Sequence, residues 1–221
     1  MILAGGFLGA GKTTLLYGSA KRLARQDRRV GLITNDQAPE LVDTTLLVQS
    51  GSEVREVAGS CFCCNFNGFL GAVRSLENAG VDHVIAEPVG SCTDLSATIV
   101  QPLKELFPAW RVAPLSVLVD PRRVQTVLRT KHPRLHEDAA YILKTQLQEA
   151  DQIVLAKADL LAAPEREELL AYLAEEFPGA RPTHLSALTG EGVDTWLESV
   201  LEDTTGGLRI TAVDYERYAQ G

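Results

Sequence analysis

Basic residues are in short supply. The 221 residues include 21 Lys and Arg against 29 Asp and Glu, for a net charge of −8 and a pI of about 5.1. A nucleic-acid backbone needs a positive surface, so nucleic acid is excluded as an expected partner. Long apolar runs are missing too, and nothing approaches the ~20 residues of a membrane span. The N-terminus has no basic stretch ahead of an apolar segment, so no signal peptide is expected and the cytoplasm is the expected compartment. Cysteine is scarce, yet three of the four fall at 61, 63 and 64, with the last at 92. Disulfide frameworks belong to small secreted chains. Thiols this crowded point instead to metal or redox chemistry. With 45% hydrophobic residues, the chain can bury a core as one domain, or one domain and a small appendage.

Residues 6–13 read GFLGAGKT and fit GxxxxGK(S/T), the phosphate-binding P-loop. Gly6, Gly9, Ala10 and Gly11 let backbone N–H groups close on phosphate oxygens. Lys12 reaches the β- and γ-phosphates, the Thr13 hydroxyl suits Mg²⁺, and Thr14 continues into a helix whose positive end faces the same anion. A short apolar run, residues 2–4, precedes the loop. Leu15, Leu16, Ala20, Leu23 and Ala24 follow at helical spacing.

Apolar runs alternate with amphipathic stretches along the chain. Strands are expected at 29–34, 54–57, 81–86, 114–119, 152–156 and 183–185. Helices are expected at 66–76, 94–106, 139–149, 165–176 and 193–201, with Asp120 and Pro121 opening another. This alternation predicts an α/β fold, a mostly parallel sheet with helices on both faces, and ligands beyond the carboxyl ends of its strands. Arg122 and Arg123, and residues 129–136, read as a solvated basic face and loop. Residues 204–207 read as a linker.

The chemical residues follow strands. Asn35 and Asp36 come after the second; Asp36 suits Mg²⁺ or an attacking water, and the pair also suits a plain turn. Glu87 follows another strand, where a carboxylate holds Mg²⁺, and Gly90 is placed to sense a γ-phosphate; the segment also suits a simple turn. Lys157 and Asp159 fit a guanine-reading loop, usually Asn-Lys-x-Asp, with Ala156 in place of the asparagine. Ser186, Ala187 and Leu188 add a backbone N–H for the guanine O6. Cys61, Cys63 and Cys64 are soft ligands for Zn²⁺, Co²⁺ or Ni²⁺. Their fourth partner is left open among Cys92, a histidine, a carboxylate, water or a second chain. His83 and His184 read as structural, and His132 and His136 as loop residues able to ligate.

In this order the motifs resemble those of the CobW-type GTPases, relatives of the urease and hydrogenase maturation GTPases. The resemblance covers residues 1–203, and CxCC is its most specific mark. It implies a metallochaperone in which GTP binding and slow hydrolysis, with Mg²⁺, control loading or release of Zn²⁺, Co²⁺ or Ni²⁺. Thr13 and Glu87 would hold Mg²⁺. Lys12, Asp36, Glu87 and Gly90 would carry catalysis, and Cys61, Cys63 and Cys64 would bind the cargo metal. Guanine nucleotide, a metal ion and a client metalloenzyme are the implied partners, and a homodimer around nucleotide is compatible with it. Residues 204–221 resemble the lead-in to a C-terminal domain. No arginine finger is identifiable, which agrees with slow turnover. Two other readings stay open: a nucleotide-gated protein chaperone for a cofactor enzyme such as a corrinoid enzyme, and a metal-binding module whose nucleotide chemistry has decayed.

Overall fold

Seven short runs form seven strands: β1 (Ile2–Gly6), β2 (Val30–Thr34), β3 (Glu53–Glu56), β4 (His83–Glu87), β5 (Ser116–Val119), β6 (Gln152–Leu155) and β7 (Arg181–His184). This computed structural model describes residues 1–35, 52–57, 61–130, 135–203, 206–207 and 209–210. Every pairing is parallel, and the order is β3-β2-β4-β1-β5-β6-β7. Parallel strands need crossovers, and except between β2 and β3, whose connection lies outside the described residues, helices supply them: α1 (Lys12–Ala24), α2 (Phe66–Asn78), α3 (Gln101–Leu106), α4 (Pro121–Arg123), α5 (Glu137–Glu149) and α6 (Ala163–Glu176), with α7 (Val193–Glu202) after β7.

The inner strands β1, β2, β5 and β6 are buried throughout, as strands covered on both faces must be. Successive residues feed opposite layers. Leu3, Val117, Val119, Ile153 and Leu155 join Phe62, Phe69, Val73, Leu76 and Leu143 in one core. Ile2, Ala4, Leu118 and Val154 join Leu15, Leu16, Leu23 and Trp196 in the other. Edge strands β3 and β7 carry Glu53, Arg55, Glu56 and Arg181, whose charges keep those edges from pairing further.

The sequence expectations hold with shifted ends. β1 runs five residues because Gly5 and Gly6 continue its pairing with β5. The helix expected over 94–106 opens with wide π-helical turns at Ser96–Val100, in which the Gln101 N–H reaches Ser96 O. Pro102 has no N–H to give the ordinary helical bond, so the wider turns stand just ahead of it. Asp120 caps α4 as expected, accepting from Arg122 N at 2.8 Å. No helix among the described residues is long and apolar enough to cross a membrane.

β1 lies at the centre. The chain leaves it on one side for β2 and β3, and crosses from β4 to β5 on the other. Such a switch point opens a crevice at the carboxyl ends, and the loops leaving β1, β4, β6 and β7 all gather there.

Candidate functional site

The P-loop starts where β1 ends. Gly6 has φ +131°, and a Cβ there would lie 2.4 Å from Leu118 O. Gly9 and Gly11 have φ +78° and +99°, and nothing stands within 4 Å of a Cβ built on either. Glycine at 6 is therefore demanded by β5, while glycines at 9 and 11 give left-handed turns facing open space. The Ala10 N–H closes the turn on Phe7 O at 3.1 Å. Lys12 is nearly buried, and its Nζ arches back to Gly6 O at 2.8 Å and Phe7 O at 3.4 Å. Burial lowers its pKa, while the nearby Glu87 and Cys92 oppose the shift.

Thr13 Oγ1 donates to Glu87 Oε1 at 2.9 Å, across 74 residues of chain. The two oxygens expected to share Mg²⁺ are thus side by side, a hard-oxygen pair suited to that ion. Gly90 presses on the P-loop, since a Cβ there would lie 2.9 Å from Leu8 N. Only glycine lets the loop after β4 come so near, and Gly90 is thereby placed against the phosphate cradle.

The base-reading candidates also converge. Ala10, Gly11, Thr14, Ala156, Lys157 and Asp159 line a mostly apolar cavity of about 230 Å³, closed by Leu160, Ser186, Ala187 and Leu188. Lys157 takes a left-handed φ of +54° and donates to Asp120 Oδ2 at 2.6 Å. Ser186 is fully buried. Its Oγ accepts from Thr189 N at 3.1 Å, and its own N–H goes to Glu191 O at 2.9 Å. Ala156 lies in the apolar core beneath the slot.

Cys61, Cys63 and Cys64 form a turn at the start of α2, with all three sulfurs within 4.8 Å of one another. The turn closes through Asn65 N to Cys61 O at 2.9 Å, and Asn65 Oδ1 caps the helix by accepting from Gly68 N at 3.1 Å. Between the cysteines, Phe62 is fully buried with its ring 4.6 Å from that of Phe69. Driving one aromatic into the core forces its neighbours outward together, which is how consecutive cysteines converge. Burying such a ring stabilises the turn by about 1.5–3 kcal/mol.

Cys61 and Cys63 lie 2.8 Å apart, Sγ to Sγ. The Cys63 thiol is lowered to about 5, chiefly by a hydrogen bond from Cys92 and then by those from Cys61 and Cys64. Burial pushes Cys61 up to about 12. Cys92 is raised, first by its bond to Cys63 and then by burial. A thiolate at Cys63, shared among neighbouring thiols at a helix N-terminus, is a ready donor for a soft cation.

Asn35 Nδ2 donates to Val57 O at 2.8 Å, tying the end of β2 to the root of the cysteine segment. Asp36 and His132 lie outside the described residues. His136 pairs with Asp138 at 3.0 Å at the start of α5. Burial lowers the pKa of both His83 and His184.

The basic pair is only half a solvated face. Arg122 is exposed, but the Arg123 guanidinium sits over the Phe7 ring at 5.5 Å, against the P-loop. Two other residues escaped the sequence reading. Gln146 and Glu149 are buried on α5 and bond to the segment after Glu87. The signal was there: they fall at helical spacing with Ile142 and Leu143, on the apolar face.

The profile of the CobW/HypB/UreG nucleotide-binding domain matches residues 1–184. The chain is 29% identical over 202 residues to "Zinc chaperone CobW" of Pseudomonas aeruginosa, covering 79% of this chain and 53% of that one. With "Zinc chaperone YeiR" of Escherichia coli it shares 31% over 176 residues, covering 75% and 48%. It thus spans about half the length of these curated relatives. Among solved structures it resembles the hydrogenase maturation factor HypB of Archaeoglobus fulgidus, with TM-score 0.62, 17% identity and coverage of 91% and 88%. HypB of Helicobacter pylori in complex with nickel gives 0.61 at 18% identity, covering 91% and 85%. Those structural likenesses support the P-loop fold alone. The family match goes further: this chain belongs to the CobW/HypB/UreG family, whose nucleotide-binding domain it carries.

Proposed function

We propose that this chain is a GTP-dependent metallochaperone domain, spanning residues 1–203, whose nucleotide state governs the holding of a thiophilic divalent metal. One observation carries the reading. Glu87, bonded to Thr13, ends β4, and the loop that follows carries the buried Cys92, part of the core against which Cys61 and Cys63 pack. A change at the phosphate end of that loop therefore reaches the cysteines with no intervening element.

The residues fit the groups the family implies. Open backbone at Gly9 and Gly11 and the buried Lys12 ammonium suit a triphosphate, and the Thr13 and Glu87 oxygens suit Mg²⁺. Mg²⁺ would supply charge neutralisation across the β- and γ-phosphates. Lys12 would exchange its carbonyl partners for phosphate oxygens. Gly90, against Leu8, would offer its N–H to the γ-phosphate. Asp159 would accept from the guanine N1–H and amine, with the Lys157 stem along the base. The Ser186 N–H is already taken by Glu191, so the O6 donor falls to Ala187 or Leu188. Asp36 would orient water or metal.

Cys61, Cys63 and Cys64 would take the cargo ion, with Zn²⁺ favoured by the names of the relatives and Co²⁺ and Ni²⁺ as competitors. Hydrolysis would be slow, as the resemblance implies, since no arginine finger is identifiable in the sequence. Leu8 and Leu188, 77% and 82% exposed beside the slot, favour a second copy closing over the nucleotide. Free thiols suit the reducing cytoplasm.

The test is nucleotide binding by anaerobically reduced protein, with and without Zn²⁺, Co²⁺ and Ni²⁺, and with ATP as competitor. Tight, GTP-selective binding that shifts with one of the metals is expected. The absence of any site tighter than about micromolar for all three ions, about 8 kcal/mol of binding, would instead favour a protein chaperone whose cysteines are structural.

A further inference from the structure

Gln146 is only 1% exposed, and its side chain reaches the loop that follows β4. Its Nε2 donates to Gly90 O at 2.9 Å and to Cys92 O at 2.8 Å. A primary amide has two N–H donors, and here each takes one carbonyl of the same loop. One end of the spanned segment is the glycine against Leu8 of the P-loop; the other is the buried cysteine of the core on which Cys61 and Cys63 pack. One turn further along α5, Glu149 is fully buried and accepts from Ser96 N at 3.2 Å. The α5 helix itself is anchored through Ile142, Leu143 and Leu147. Residues 90–96 are thus fastened to one rigid helix at three backbone points.

We propose that Gln146 is the positioning residue for coupling between the two sites: it locks the Gly90 and Cys92 carbonyls to one amide, so the γ-phosphate contact and the thiol move as one body. This rests on the proposed function. Without the clamp, residues 90 and 92 are joined by flexible backbone that absorbs a displacement at Gly90 locally. With it, a displacement at Gly90 carries Cys92 toward or away from Cys63.

The probe is Co²⁺, read by its thiolate charge-transfer absorption, titrated into reduced full chain. One series holds Mg²⁺ and GDP, and the other holds Mg²⁺ and a non-hydrolysable GTP analogue. The ratio of the two dissociation constants is the coupling factor. In Gln146→Leu it should fall to near one from a typical range of about 5–150-fold, with GDP affinity unchanged within about twofold. An unchanged ratio overturns the proposal. So does an equal loss of GDP affinity, which would mean a merely structural role.

Should the variant not fold, the wild-type side-chain amide serves as the readout, through its nitrogen-15 resonance. A Gln146 amide protected from exchange that shifts on adding either ligand supports the clamp; one exchanging at solvent rate overturns it. A coupling factor of one in the wild type removes the underlying reading, and this inference with it. A wild-type factor above one that persists in Gln146→Leu removes the inference alone.

Discussion

The two halves of the sheet are held in different ways. On the β5-β6-β7 side, the proposed base-reading loops are pinned by bonds among residues of that same side. Ser186 holds Thr189, the Ser186 N–H holds Glu191, Arg166 pairs with Glu191 at 2.7 Å, and Lys157 pairs with Asp120. On the β4-β2-β3 side, the described loops are tied to elements outside that side, Glu87 to Thr13 on α1 and Gly90 and Cys92 to Gln146 on α5, besides Asn35 to Val57 within it. A slot that must recognise one unchanging base is best made rigid in advance. A loop that must differ between nucleotide states needs contacts that can be exchanged as units. The half carrying the cysteines is built the second way.

Substitutions at the shared centre and in each half can break or sharpen this contrast. Lys12→Ala removes the charge that both halves face, and tight nucleotide binding should disappear, by about 100-fold or more from two charge-assisted bonds. Calorimetric titration checks it, and unchanged affinity would contradict the P-loop assignment. Asp159→Ala acts on the base half alone. It should cost about 1.5–3 kcal/mol for each bond to the base and shrink the preference for GTP over ATP. Metal affinity measured without nucleotide should stay as it was; a change there would show that the halves are not separable.

Glu149 tests the switching half by pH. Burial, and after it the charge of Asp94, lifts its carboxyl from the usual 4.5 to about 8, against the Ser96 N–H bond that lowers it. The folded chain therefore keeps a proton that the unfolded chain has released. The stability this confers is complete below about 4.5 and is lost as pH rises toward 8, at up to about 1.4 kcal/mol per pH unit. Glu149→Gln removes the penalty and still accepts from Ser96. Its melting temperature relative to the wild type should climb between pH 5 and pH 8, and a gap that stays constant with pH would contradict the assignment. The smallest effect is expected at the base. Ala156→Asn restores the usual polar residue of the guanine loop and should tighten GTP by about 0.5–1.5 kcal/mol, provided the amide leaves the core for the slot. Weaker binding would mean that Ala156 serves packing.

Much of this is legible in the sequence. Strand-to-helix alternation gave the α/β class, and the P-loop, Glu87, Lys157 and Ser186 each announced themselves by following a strand. The cysteines were legible by crowding alone. The order of the strands was not, because it is set by which faces bury each other across the whole chain. Hence the Lys157–Asp120 pair, between the ends of neighbouring β6 and β5, was hidden, although Asp120 was correctly read as a cap. Gln146 was hidden differently. A glutamine in an amphipathic helix reads as surface, and only its position among Ile142, Leu143 and Leu147 betrays a buried role. Arg123 read as solvated because cation–π stacking on Phe7 leaves no mark in local sequence.

The central claim is that one loop serves two sites, and linkage tests it most directly. GTP affinity should be measured on reduced protein with and without saturating Zn²⁺, and Zn²⁺ affinity with and without saturating GTP. Both pairs should differ, and by the same factor, since coupling between sites is reciprocal. GTP affinity that is identical in the presence and absence of Zn²⁺ would contradict it.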